Sequence, residues 1–188
     1  MKAMPTICCL LTALLPAPVL AGSSVEQAQA RDAVAEFAGA LKAELTAAMQ
    51  AGGPLSAIEV CHTRAPAIAD AVSLDSGMQV SRVSLRNRNP GNAPTEWQAA
   101  VLRDFEARLA AGEAADALSW QEIAQTDGPR EYRFMKAIPT APMCLACHGQ
   151  SLAPAVAEKI AELYPEDKAT GYREGDIRGA FVVTSLID

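Results

Sequence analysis

Histidine is scarce: His62 and His148 are the two in a chain of 188 residues. No spare distal histidine beside an arginine exists of the kind peroxidases use, so catalysis finds no support and the chain reads as a non-enzyme. An excess of positive charge is missing too. Sixteen Lys and Arg stand against 22 Asp and Glu, a net of −6, and such a surface does not favour DNA, RNA or anionic lipid. Long apolar runs are lacking. Ile7 to Leu15 comes nearest, but a bilayer takes roughly 20 residues, so no membrane span is expected. Internal repeats, low-complexity tracts and long linkers are also absent, and no methionine follows Met143.

What the N-terminus does contain is a processing signal. Lys2 gives a positive start, the apolar run follows, Pro16 and Pro18 break it, and Val19-Leu20-Ala21 offers small residues for cleavage. That layout predicts a cleaved secretory signal over 1–21 and a periplasmic or secreted product over 22–188, long enough for one domain with its own core. Cys8 and Cys9 leave with the signal, so Cys61, Cys144 and Cys147 remain. An odd count in an oxidising compartment argues against a plain disulfide framework.

Ser24 and Gln27 form a capping-box pattern, and Val34, Phe37, Leu41 and Leu45 recur at helical spacing until Gly52-Gly53. Pro54 opens a second helix carrying Leu55, Ile58, Cys61, Ala65 and Ile68 on one face, with a kink or fresh start expected at Pro66. Residues 78–85 read as a strand. A donor-rich turn, Arg86 to Asn92, follows, with Asn92 as cap and Pro94 in the first turn of a third helix. That helix aligns Trp97, Val101, Phe105 and Leu109. Residues 118–125 and 131–138 pair across Asp127-Gly128-Pro129 as a hairpin, 153–163 is helical, and 177–186 is the strongest strand. Helices first and antiparallel strands later indicate an α+β domain. Trp97, Phe105 and Trp120 are expected in its core.

The chemistry lies in Cys144-Leu145-Ala146-Cys147-His148. In this pattern two thiols add to the vinyl groups of one porphyrin and the adjacent imidazole meets the iron. It predicts one covalent haem c on Cys144 and Cys147 with His148 as an axial ligand. A thioredoxin-like pair would need a strand before the motif in a βαβ unit, whereas a hairpin precedes it. The alternative outside haem is a structural zinc-binding domain drawing on Cys61, His62, Cys144 and Cys147, which is strained by the roughly 100° between neighbours on a helix. With no methionine after His148, the sixth iron position is open between Cys61, His62 and a methionine or no ligand, and a buried thiol is more often a small hydrophobe than a ligand.

Three segments resemble a family of monohaem c-type cytochromes with a PAS-like fold and Cys/His-ligated haem, known from a cyanobacterial representative. They are Ala57 to Cys61 with Ala65 to Ala69; Arg82 to Pro90; and Cys144 to Gly149 followed by Tyr164-Pro165-Glu166-Asp167, Gly171-Tyr172 and Gly175 to Ala180. The resemblance implies N-terminal helices packed on a PAS-like antiparallel sheet, and Cys61 as the axial ligand opposite His148, with His62 its competitor. A thiolate ligand stabilises Fe(III) and gives a low potential. From this follow two expectations: a redox or small-ligand sensor that exchanges Cys61 for a diatomic ligand, or a periplasmic electron-transfer cytochrome with a redox partner protein. Arg82, Arg86, Arg88, Lys136 and Arg178 are available to the haem propionates. Arg86 and Arg88 are favoured because their loop matches the family pattern.

Overall fold

The computed structural model describes residues 22–125 and 128–187. The expected signal, 1–21, and Asp127 of the expected hairpin turn lie outside them. Helix α1 (Gly22–Glu59) breaks at Gly53, whose φ of 68° and ψ of −158° no ordinary helical residue adopts. The first helix thus stops where the glycine pair predicts, and Pro54 restarts it. A π turn (Val60–Arg64) follows, closed by the Ala65 N–H on the Val60 carbonyl. Then comes α2 (Ala65–Ser76), with Pro66 in its first turn. The interruption expected at Pro66 is therefore present, as a wide turn just before it.

Strands β1 (Gln79–Val83), β2 (Ser119–Ala124), β3 (Arg130–Pro139) and β4 (Ile177–Ile187) form one antiparallel sheet in the order β1-β4-β3-β2. The chain is an α+β domain with its N-terminal helices on the sheet. Period-two alternation sends Val80, Tyr132, Phe134, Phe181 and Val183 to one face, where they meet Ala30, Val34, Phe37 and Val72 of α1 and α2. The other face sends Val83, Met135, Ala137 and Val182 to α3 (Glu96–Ala110), which buries Val101, Leu102 and Phe105. Each such large side chain taken from water contributes roughly 1.5–3 kcal/mol. Trp97 and Trp120 stack at 5.7 Å on the border of this core.

One boundary differs from expectation. α3 begins at Glu96 under a Thr95 cap, not under Asn92, which instead ends a short 3₁₀ turn (Pro90–Asn92). The reason is local: Thr95 and Gln98 complete a reciprocal capping box, the Thr95 N–H donating to Gln98 Oε1 at 2.9 Å. Between β3 and β4 the chain makes a 3₁₀ turn (Pro142–Cys144), the short helix α4 (Leu145–His148) and α5 (Pro154–Leu163). A third apolar cluster, Ile58 with Val156, Ile160 and Tyr164, packs on Cys147 and Leu152. It docks α4 and α5 against the end of α1. Among the described residues no helix is long and apolar enough to cross a membrane.

Candidate functional site

Residues three and four apart on a helix share a face. Cys144, Cys147 and His148 span one helical turn at that spacing, so two thiols and an imidazole are presented together. All three are half-buried, and neither thiol is in a disulfide. The turn ends sharply at Gly149. A Cβ there would come within 2.5 Å of the Leu145 carbonyl oxygen, and the Gly149 N–H is bonded to that same oxygen at 2.9 Å. Beyond it, the Tyr172 N–H donates to the His148 carbonyl at 2.9 Å and the Gly171 N–H to the Gly149 carbonyl at 2.8 Å. The motif is thereby laced to the 164–176 loop.

That loop also orients the imidazole. His148 Nδ1 lies 2.7 Å from the Ala169 carbonyl oxygen, which requires the proton on Nδ1 and leaves Nε2 as a free lone pair. Burial lowers the His148 pKa well below its ordinary value, and the positive charges of Arg178 and Arg88 push it the same way. The ring is therefore neutral, the form that ligates a metal.

Ala169 is held in turn. Its N–H donates to Asp167 Oδ1 at 2.9 Å, an Asx-type turn. Asp167 also receives Arg88 Nε at 3.0 Å and Nη2 at 3.2 Å, the two side chains being 10% and 8% exposed. Arg88 Nη2 also reaches the Cys147 carbonyl at 2.7 Å. Arg88, expected to contact a propionate, is thus engaged in fixing the motif. Asp167, Ala169, Tyr164 and Tyr172 went without a role in the sequence reading. A signal exists for Asp167 alone, an aspartate two residues ahead of a small residue in a loop, which is an Asx-turn pattern.

The other candidates converge unevenly. Arg86 lies over the Tyr172 ring at 4.0 Å and Arg178 over the same ring at 5.4 Å, while His148 meets it edge-on at 6.3 Å. Lys136 stands two strands from Arg82 in the same cross-strand row, and its ammonium turns to the Asp116 carbonyl. It is not brought to the motif. Arg82 lines a cleft of about 250 Å³ together with Cys61, Phe37, Ala65 and Val80. Burial pushes the Arg82 guanidinium down, with Cys61 and Tyr164 opposing.

Cys61 and His62 part company on the π turn. Cys61 is half-buried on the cleft wall. His62 is exposed, with its ring edge-on to Tyr164 at 5.3 Å. The Cys147 thiol is pushed up chiefly by burial, which Arg88 opposes, and the sulfurs of Cys61 and Cys144 push it further in the same direction. Ile58, one helical turn before Cys61, packs in the same cluster as Cys147, so the helix end that carries Cys61 borders the motif. Among the described residues no group of three or more His, Cys, Asp or Glu could hold a metal ion, and the four-ligand set of the zinc alternative is not assembled.

Fold and site define an α+β domain that presents two free thiols and a neutral, oriented imidazole on one turn, while a third thiol, Cys61, lines a cleft to which the motif residues do not contribute. The family model of the Tll0287-like family, described as Tll0287, matches residues 22–185, and the chain belongs to that family. Among solved structures it is similar to the crystal structure of the cyanobacterial heme-protein Tll0287. The TM-score is 0.65 and the identity 25%, covering 87% of this chain and 96% of that one. No curated protein sequence matches it significantly.

Proposed function

We propose that the chain is an exported single-haem c-type cytochrome, with the haem bonded to Cys144 and Cys147 and its iron between His148 and Cys61. The observation that carries this is the single turn on which two unpaired thiols stand beside an imidazole whose Nδ1 is tied to the Ala169 carbonyl. The donor set fits the group: soft thiols for thioether bonds, a neutral nitrogen for iron, and a cleft walled by a third sulfur. A structurally similar protein titled a heme-protein supports the same reading.

Bound haem supplies a one-electron Fe(III)/Fe(II) couple. His148 keeps its Nε2 lone pair directed outward because the Ala169 carbonyl holds the other nitrogen. Cys61, as a thiolate, favours the ferric state and a low potential. The π turn places Cys61 on an irregular stretch of helix, a feature frequent at functional sites. This supports a redox or small-ligand sensor in which Cys61 is exchanged for a diatomic molecule. Electron transfer to a periplasmic protein is the second reading, favoured by the exposure of Met143 beside Cys144. The acidic chain would suit a basic partner.

The mass of polypeptide matured with haem-assembly machinery tests the central reading. It should exceed the apo chain by one haem and keep the pigment through denaturing acid extraction; free release of the pigment sinks it. Ferric EPR with Cys61→Ala and His62→Ala separates the axial ligands, and only the Cys61 change should abolish a low-spin thiolate signal. For sensing, resonance Raman of the reduced protein should change under CO, and an unchanged six-coordinate spectrum counts against it.

A further inference from the structure

The site carries more positive charge than its own carboxylates balance. Arg82, Arg88 and Arg178 all act electrostatically on His148, yet among the described residues Asp167 is the one carboxylate paired with any of them, and it serves Arg88. Among the described residues, neither Arg82 nor Arg178 has a carboxylate within ion-pair distance. Arg178 Nη1 reaches the Ser84 hydroxyl at 3.3 Å and the Arg86 carbonyl at 3.4 Å, both long. Its Nε is buried with no partner at all. Asp70 lines the same cleft as Arg82 but does not pair with it.

Arg82 and Arg178 are half-buried, and a guanidinium partly withdrawn from water without a counter-ion, as with the shielded and unpartnered Arg178 Nε, is costly unless an anion joins it. With Asp167 taken by Arg88, Arg82 and Arg178 are the two of these three guanidiniums without an ion-paired carboxylate, and a haem brings two carboxylates. We propose that Arg82 and Arg178 form the anion seat of the site and take the two porphyrin propionates. Arg88 is thereby released from that role. Arg86, stacked on Tyr172, serves as packing. The inference rests on the haem reading above and adds which side chains anchor the cofactor's acidic edge. Arg82 is suited to it because it lines the same cleft as Cys61, its guanidinium 5.7 Å from the Phe37 ring, and Arg178 because it shares the Tyr172 ring with His148. The other titratable groups acting on the pair are Cys61 and Tyr164 on Arg82, and Tyr172, Arg88 and Asp167 on Arg178.

The test uses the mature, haem-loaded protein and reads the propionate bending band by resonance Raman together with the midpoint potential. Arg82→Gln and Arg178→Gln should each keep the full covalent haem mass, move the band and lower the potential, because a cation beside the haem favours the reduced state. Arg82→Lys should restore much of the potential, and Arg103→Gln, on the exposed side of α3, should change neither reading. In the unmodified protein the band should stay constant as pH falls through the ordinary carboxylate range of about 4–5, a measurement that needs no variant to fold. An unmoved band and potential in both Gln variants, a shift confined to Arg86→Gln, or a parent band that titrates in that range overturns the proposal and leaves the haem reading intact. Polypeptide that matures without haem mass overturns both.

Discussion

The Arg88–Asp167 pair is the point at which the motif depends on residues far from it in sequence, and removing Asp167 measures that dependence. Both side chains are nearly shut off from water. Asp167→Ala leaves the Arg88 charge buried without its counter-ion, a defect of about 3–5 kcal/mol. It also strips the Ala169 N–H of its acceptor, worth about 1 kcal/mol. Some relaxation and water entry will offset part of this, so a net loss on the order of 4 kcal/mol is expected. For a domain of this size that lowers Tm by roughly 8–16 °C. The Arg108–Glu113 pair is the comparator. Its side chains are 33% and 39% exposed, and Glu113→Ala should cost far less than Asp167→Ala because solvent screens an exposed pair. Thermal and urea unfolding of the mature protein give both numbers. A double-mutant cycle with Arg88→Met then isolates the coupling, which should be on the order of 2 kcal/mol or more. An Asp167→Ala protein as stable as the Glu113→Ala one, or a cycle with no coupling, refutes the reasoning.

Two further changes address the turn and the core. Gly149→Ala drives a methyl against the Leu145 carbonyl and should cost about 1–3 kcal/mol by overpacking, with a lower yield of haem-bearing protein; parental stability and yield would show that the turn opens freely. The Tyr132 phenol, buried and donating to Gln121 Oε1 at 2.9 Å, is pushed up to about 12, chiefly by burial with Glu26 adding and Arg31 opposing. The unfolded phenol ionises near 10, so this stability is complete below pH 10 and is lost as pH rises towards 12, on the order of 2–3 kcal/mol. Tyr132→Phe should flatten the alkaline limb of a stability profile, leaving the part due to Tyr164, also pushed up to about 12 by burial and then by Cys61; an unchanged limb refutes it.

How far the sequence discloses this molecule depends on the reach of the interaction concerned. Period-two and helical spacing locate the strands and helices because those signals act over a few residues and the sheet buries both faces. The start of α3 is misread because two overlapping cap signals compete, and the Thr95–Gln98 box satisfies two donors where Asn92 would satisfy one. The motif itself is legible, since its spacing is the chemistry. Its support is less so. Arg88 reads as a loop cation, and only the fold brings it to an aspartate 79 residues away. The Ala169 carbonyl, which fixes the imidazole, carries no side-chain signature at all.

The π turn shows why Cys61 in particular ends at the cleft. In an uninterrupted helix Ile58, Ala65 and Val72 would repeat every seven residues along one stripe and face one neighbour. Here Ile58 packs on Val156, Ile160 and Tyr164 beside the motif, whereas Val72 packs on the sheet-side core with Phe37 and Val80. The wide turn over Val60–Arg64 re-phases the stripe between these two contacts by inserting a residue into the ladder. Pro66, which has no N–H to give the His62 carbonyl, removes the bond that would hold the regular register. The changeover falls at Cys61 and His62, so one turns to the cleft and the other to solvent and Tyr164. Neighbours on any helix point roughly 100° apart; the re-phasing beside Pro66 decides which of the two donors meets the cleft.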